Sequence, residues 1–446
     1  MINWGVIVTL SVTVCAGAVQ KNAFLELANS EYYVDKTEFI LKFHEQKYPM
    51  YFSAPRRFAK TINLSMLKAF YQAHVNVNGE PLPADATDEY KTFQKLHKQK
   101  RTNPSIMRRK QFFQKNFKRR PVISISFKEL DTSSIEKFLS TYAESISDSF
   151  TEHEYLYSSK KLVLVMKDIY RIYTNKFENK TKQHLVNGFR QLSAILTEHY
   201  ETRCIVLIDD FDTPLIKLLT NPCKQTSEIL TILQDSMASL LNDNENVLKV
   251  LLTGNLRWAG IYSPFNVFSH PYTKHEKISK FFGITMKEIK SLVNSLERKD
   301  ANEDMKTIEQ YYDGYNLEAS KTKLWCPNSV SAFLARSKPS DYWSQKETQD
   351  MLKLILRHKA VVEFMDQIFV GKTVPWQEKQ NVALAEVESY RRVFCKPKPA
   401  SLSKDQINFV KQFLMEIGYL KISEKSANYS LVLPNEEVKL AIIDLR

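Results

Sequence analysis

Glycine is scarce in this chain, with 10 among 446 residues, so glycine-rich tails and repeat arrays are excluded. The five cysteines show no zinc-ligand spacing to one another or to a histidine, and the nine histidines are scattered without a nucleophile motif. Structural zinc sites and hydrolytic triads therefore have no support. A general basic character is also missing, although the net charge is +13. Residues 91–120 hold 12 Lys or Arg and no Asp or Glu, so the remainder carries one net positive charge. The residue balance, 43% apolar and 25% charged, is that of a folded globular protein. Its length implies two to three domains.

The basic stretch admits several readings. One is an anionic partner (nucleic acid, an acidic membrane surface or a sulfated polymer) met by Arg108, Arg109, Lys110, Lys118, Arg119 and Arg120. Phe112, Phe113 and Phe117 interleave with the basic residues and suit base stacking or, equally, a helix stripe. The others are a solvated insertion between two elements and a long helix with a water-facing basic side.

Ile2 to Ala18 has no charged side chain and ends in Ala16-Gly17-Ala18, the small-residue pattern of a cleavage site. A signal peptide over 1–18 and a secreted mature chain are expected, with a buried first strand as the alternative. Cleavage leaves Cys204, Cys223, Cys326 and Cys395, enough for two disulfides, though Cys204 opens an apolar run and also suits a core thiol. Sequons at Asn63, Asn179 and Asn428 are compatible with secretion.

Short apolar runs, 48–53, 121–127, 204–209 and 246–255, alternate with helical stretches at 60–72, 132–157, 180–200 and 225–241. A helix is also expected from near Asp35. This alternation predicts parallel β-α-β units in a doubly wound sheet. Beyond about residue 275 the pattern is mainly helical, closing with a small β-pair at 418–423 and 429–434.

Ligands of such sheets sit at the carboxyl ends of the strands. Three motifs fall there: the loop of "YFSAPRRFAKT" (51–61), Asp209-Asp210 in "CIVLIDDFDTP" (204–214), and Thr253-Gly254-Asn255 in "NVLKVLLTGN" (246–255). A phosphate loop needs a lysine for the β/γ-phosphates and a Ser or Thr hydroxyl for Mg²⁺, roles that Lys60 and Thr61 fit. Asp209 fits the acid that helps hold Mg²⁺. Taken singly, each motif also suits a helix cap or a turn. Their order along the chain is the specific signal.

Together with "YYVDKTEFI", "PVISISF", "LLTGNLRW", "FFGIT", "YYDGYN", "CPNSVSAFL", "GYLKI" and "LPNEEV", these runs resemble the AAA-ATPase-like proteins from about residue 22 to 440. The resemblance implies an α/β fold: a P-loop NTPase-like parallel sheet flanked by helices over 19–275, with 91–120 as a basic insertion. A mainly helical region over 276–446 follows, with a small β-pair. Many relatives carry a restriction-like nuclease domain after the "LPNEEV" segment, which this sequence is expected to lack. ATP and Mg²⁺ are the implied cofactors. Pro55, Arg56, Arg57, Phe58, Ala59, Lys60, Thr61 and Thr253 would touch the nucleotide, and Thr61 and Asp209 the metal. Asp210 would be the base, with Thr253 or Asn255 sensing the γ-phosphate.

Two departures stand out. The family usually has Gly at the position of Ala59 and Glu at that of Asp210. A methyl at 59 restricts backbone that must approach phosphate, and Asp at 210 withdraws the carboxylate by one methylene. A displacement of about 1 Å can cost on the order of 10²-fold in rate. The expectation is a degenerate site that keeps the loop's shape, binds ATP weakly and hydrolyses it slowly or not at all. The alternative is a pseudo-ATPase scaffold that binds a protein or polyanion through its basic segment.

Overall fold

The computed structural model describes residues 22–99, 103–175, 180–221, 223–257, 267–318, 320–379, 382, 384–394, 401–423 and 430–445. The leader over 1–18, Cys395 and the sequons Asn179 and Asn428 lie outside the described residues.

Two short helices, α1 (Ala23–Ala28) and α2 (Phe39–Glu45), lead into strand β1 (Met50–Ser53), helix α3 (Lys60–Tyr71), α4 (Asp88–Lys98), α5 (Lys110–Asn116) and β2 (Val122–Ser126). Helices α6 (Ile135–Thr151), α7 (Leu164–Thr174) and α8 (Lys182–Tyr200) connect β2 to β3 (Cys204–Asp209). Then come α9 (Thr213–Thr220), α10 (Thr226–Leu241), β4 (Val247–Gly254) and β5 (Phe268–Pro271). The helix expected near Asp35 begins at Phe39 instead, because the Asp35 carboxylate accepts the Thr37 N–H at 2.8 Å and holds a turn there.

The sheet order is β2-β3-β4-β1-β5, with every neighbouring pair parallel. β1 and β3 are buried at every position, which is why they read as unbroken apolar runs rather than alternating ones. The parallel register brings all the carboxyl ends to one edge. Ser126 faces Asp209, Ile208 faces Leu252, and Phe52 faces Thr253, so the three motifs stand side by side. The α/β sheet flanked by helices is the expected architecture and is consistent with a P-loop-like arrangement. β5 is a strand that the sequence pattern does not announce. Half of it is exposed, and it lacks the apolar run of the inner strands.

Past the sheet the chain is mainly helical: α11 (Glu276–Ser279), α12 (Met286–Ser295), α13 (Ala301–Tyr311), the hairpin β6 (Tyr315–Asn316) with β7 (Lys323–Leu324), α14 (Pro327–Arg336), α15 (Lys346–Leu356) and α16 (Lys359–Phe369). β8 (Val374–Pro375), α17 (Leu384–Arg391), α18 (Lys404–Ile417), β9 (Lys421–Ile422), β10 (Ser430–Val432) and α19 (Glu436–Ile443) complete it. The expected terminal pair is β9 with β10, antiparallel, and β8 adds a third strand. The main hydrophobic core runs continuously from the sheet into this region, from Phe52 and Leu207 to Phe409 and Val438. A smaller core of α12, α13 and α14 gathers around Ile289, Ile308 and Phe333. No helix among the described residues is long and apolar enough to cross a membrane.

The basic stretch is neither a tail nor one long helix. α4 and α5 fold back on α3, and Phe113 and Phe117 are buried with Phe70, Phe93 and Tyr90 in a group of edge-to-face and stacked rings. Phe112 stacks on Phe70 as well. These rings are committed to packing and are not free to receive bases. Lys118 is buried against Glu89 at 3.0 Å, Arg120 donates to the Thr202 hydroxyl at 2.6 Å, and Arg109 pairs with Glu38 at 3.3 Å. Arg108, Lys110 and Arg119 face solvent.

Cys204, Cys223 and Cys326 are buried free thiols, so the two-disulfide reading fails. Asn63 is 2% exposed and its amide donates to the Phe281 carbonyl at 3.1 Å, which leaves no room for a glycan on the folded chain.

Truncating an aromatic in this group should cost far more than removing a charge beside it. Phe113→Ala is expected to lower unfolding free energy by about 3–5 kcal/mol, and Lys110→Gln to leave it within about 0.5 kcal/mol. Urea unfolding of both variants checks this; equal, small effects would mean that the segment is peripheral to the core.

Candidate functional site

The loop at 54–59 leaves β1 and turns into α3 through two left-handed residues, Arg57 at φ 63° and Ala59 at φ 45°. For an L-residue other than Asn or Asp this conformation is strained, so a glycine would suit position 59 better. Ala59 is also the N-cap of α3 and supplies no side-chain hydrogen bond. The free N–H groups of this first turn therefore open towards the carboxyl edge of the sheet.

Lys60 is 8% exposed, and its ammonium makes three hydrogen bonds: to the Ala54 carbonyl at 2.8 Å, the Pro55 carbonyl at 2.7 Å and Asn255 Oδ1 at 3.0 Å. All three donors are occupied within the chain. Burial lowers its pKa to about 8, against the pull of Asp212, Asp209 and Asp210.

Asp209 is the point where α3, β3 and β4 meet. Its Oδ2 accepts the Thr61 hydroxyl at 2.5 Å and its Oδ1 the Thr253 hydroxyl at 2.6 Å. The Asp210 N–H donates back to Asp209 Oδ1 at 3.0 Å. Thr253 is fully buried, whereas Thr61 is exposed. Asp210 sits at φ 52°, a region that Asp tolerates better than Glu does. Burial, then Asp209 and Asp212, push its carboxyl up to about 7.

The sequence reading missed Asp212. It is fully buried, and its Oδ2 accepts the N–H groups of Asn255 and Leu256, each at 2.8 Å, and Asn255 Nδ2 at 3.2 Å. It thus fixes the turn after β4 and holds Asn255 so that its Oδ1 meets Lys60. Gly254 makes this possible: a Cβ there would lie 2.6 Å from Asp212 Oδ1 and 2.4 Å from the Tyr51 hydroxyl. The only signal in the sequence was a third acid three residues after Asp209 in "IDDFDTP".

The chain folds the nucleotide-contact residues into two groups. Lys60, Thr61, Thr253, Asn255, Asp209 and Asp210 converge. Arg56 and Arg57 are tied to the C-terminal region instead: Arg56 donates to Gln345 Oε1 at 2.7 Å, and Arg57 to the carbonyls of Trp343 at 2.9 Å and Ser344 at 3.4 Å. Pro55 and Phe58 are buried, Phe58 against Tyr272 and Tyr315. Arg108, Lys110 and Arg119 play no part in this network.

The sequence profile of the family described as "Predicted AAA-ATPase" matches residues 21–260, more than half of the chain and all of β1 to β4. The chain belongs to the AAA-ATPase-like family. No curated protein matches it. Within this family member, the residues that carry the three motifs share one hydrogen-bonded cluster, largely buried and rich in oxygen around the Lys60 ammonium. Oxygen ligands suit a hard cation such as Mg²⁺, and Thr61 with Asp209 presents a hydroxyl and a carboxylate 2.5 Å apart.

The strain at position 59 is measurable. Ala59→Gly is expected to raise the unfolding free energy by about 1 kcal/mol, by relieving a left-handed alanine. Thermal and urea unfolding would register it; a loss of stability would show that position 59 does not hold this conformation.

Proposed function

We propose that this AAA-ATPase-like protein binds ATP weakly at the 54–61 loop, and that hydrolysis there is slow or absent. The observation that carries the reading is the meeting of Lys60, Thr61, Asp209 and Thr253 at the carboxyl edge of a parallel sheet. Phosphates would face the uncapped first turn of α3, whose N–H groups and positive dipole end favour anions. Lys60 would turn its ammonium from the Ala54 and Pro55 carbonyls to phosphate oxygens. That exchange gives up two good hydrogen bonds, which argues for modest affinity.

Mg²⁺ would be held by Thr61 and Asp209, and when bound with the nucleotide it neutralises phosphate charge. Asp210, with its carboxyl raised to about 7, is suited to accept a proton from water near neutral pH. Its side chain is one methylene shorter than the family's usual glutamate, and that shortfall supports slow turnover. Asn255 and Thr253 stand beside Lys60 and Asp209, where a γ-phosphate would be sensed.

The second reading, a scaffold without nucleotide, is favoured by the full occupation of Lys60 by acceptors of its own chain. Its partner would be a protein or a polyanion such as nucleic acid or a sulfated polymer, met at the exposed Arg108, Lys110 and Arg119. Secretion, proposed from the uncharged run 2–18, fits this reading better, because extracellular ATP is scarce.

Equilibrium binding of Mg-ATP separates the two. Wild type is expected to bind in the high micromolar to millimolar range, and Lys60→Ala to abolish binding. Ala59→Gly should tighten it, and Asp210→Glu should raise phosphate release with little change in KM. If neither wild type nor the Ala59→Gly/Asp210→Glu variant binds ATP, the scaffold reading stands in its place.

A further inference from the structure

The two arginines of the loop reach the C-terminal region while the charge of Arg56 is also felt at Lys60 and Asp210. They dock on a turn of the C-terminal region, 341–345, and this seam contains an unusual set of side chains. Four hydrogen-bond donors there are buried without an acceptor among the described residues: Arg56 Nε, Trp343 Nε1, the Ser344 hydroxyl and the Tyr419 hydroxyl. Tyr419 is fully buried and Trp343 is 2% exposed. A buried donor with no acceptor carries a cost of about 1–3 kcal/mol, and these four belong to one seam.

The seam is built rather than loose. Asp341 Oδ1 accepts the N–H groups of Trp343 at 3.0 Å and Ser344 at 2.8 Å, and Glu437 accepts that of Tyr342 at 2.8 Å. Arg57 fixes the turn from the loop side through the Trp343 and Ser344 carbonyls. Trp343 and Tyr419 meet edge to face at 4.7 Å. Gly418, at φ 99°, lets this corner close on the loop: a Cβ there would lie 2.8 Å from Trp343 and 3.0 Å from the Pro55 Cβ. The acidic side chains at this turn already accept backbone N–H groups, and the Tyr419 hydroxyl feels the positive charge of Arg56 ahead of the negative charge of Asp341.

We propose that this seam is an oxyanion subsite in which the C-terminal region completes the loop, with Arg56, Trp343, Ser344 and Tyr419 as donors to phosphate oxygens. The inference rests on the nucleotide reading of the loop, and it adds that the phosphate chain is gripped from two sides, by Lys60 below and by this turn above. The C-terminal region then acts as part of the site and not as a separate module.

Tyr419→Phe removes one donor and keeps the ring. The full chain, with and without this change, should be titrated with Mg-ATP, inorganic tripolyphosphate and adenosine, alongside thermal unfolding without ligand. The expected result is a loss of roughly tenfold in affinity for ATP and tripolyphosphate, no effect on adenosine, and an unliganded Tm that is unchanged or higher. Ser344→Ala should act in the same direction and serves if Tyr419→Phe does not fold. If wild type binds ATP and both variants bind it equally well, the subsite is wrong while the nucleotide reading survives. A lowered unliganded Tm for both variants with unchanged affinity would show that the hydroxyls have structural partners, and the subsite is again wrong. If wild type binds neither ATP nor tripolyphosphate, both proposals fail together.

Discussion

One carboxylate organises this site. Asp209 takes a hydroxyl from α3 on one oxygen and a hydroxyl from β4 on the other, and it lies where β3 ends. Because both oxygens are engaged, the first turn of α3 and the end of β4 are held in a single relation. The parallel register supplies the rest, since it brings Phe52, Asp209 and Thr253 into one row. Asp212 does for the turn after β4 what Asp209 does for the helix start. Removing either acid would strand buried donors that were placed to meet it.

Around that pair the electrostatics are finely set. Three acids within four residues surround one buried lysine, and burial pulls both kinds of group towards neutrality: Lys60 down to about 8 and Asp210 up to about 7. A buried cluster of such groups responds to a nearby charge more strongly than a solvated surface does. An incoming polyphosphate with its metal would replace the loop carbonyls at Lys60 and shift these equilibria together. The backbone is left-handed at both Ala59 and Asp210, and it adds strain at Ala59. Aspartate tolerates that backbone and alanine does not, so the two departures differ in physical kind.

The sheet was legible because its inner strands are buried on both faces and appear as apolar runs that end in polar motifs. The meeting of Asp209 with Thr253 was legible for the same reason, as both stand at the ends of such runs, and Lys60 and Thr61 open the helix that follows β1. β5 was not legible, being short and half exposed, and neither were α7 and α9, where the chain gave no clear boundary. Asp212 was hidden by ordinary appearance, as one more acid after Asp209-Asp210, and only the fold shows it reaching across to Asn255 and Leu256. The destination of Arg56 and Arg57 depends on partners nearly 290 residues away, Gln345 and Trp343, which no local pattern discloses. Likewise the phenylalanines of 112–117 alternate with basic residues as a stacking surface would, yet Phe70 and Phe93 enclose them. Charge in a segment is visible in a sequence; the side it presents is not.

The central claim is that the carboxyl edge of the sheet, at the 54–61 loop, is where a nucleotide sits. Amide hydrogen exchange of the full chain with and without millimolar Mg-ATP tests it most directly, because it reads the loop backbone itself. The account predicts slowed exchange at residues 56–62, with no comparable change in the basic segment at 103–120. Unchanged exchange over the loop at saturating Mg-ATP, or protection confined to 103–120, would contradict it.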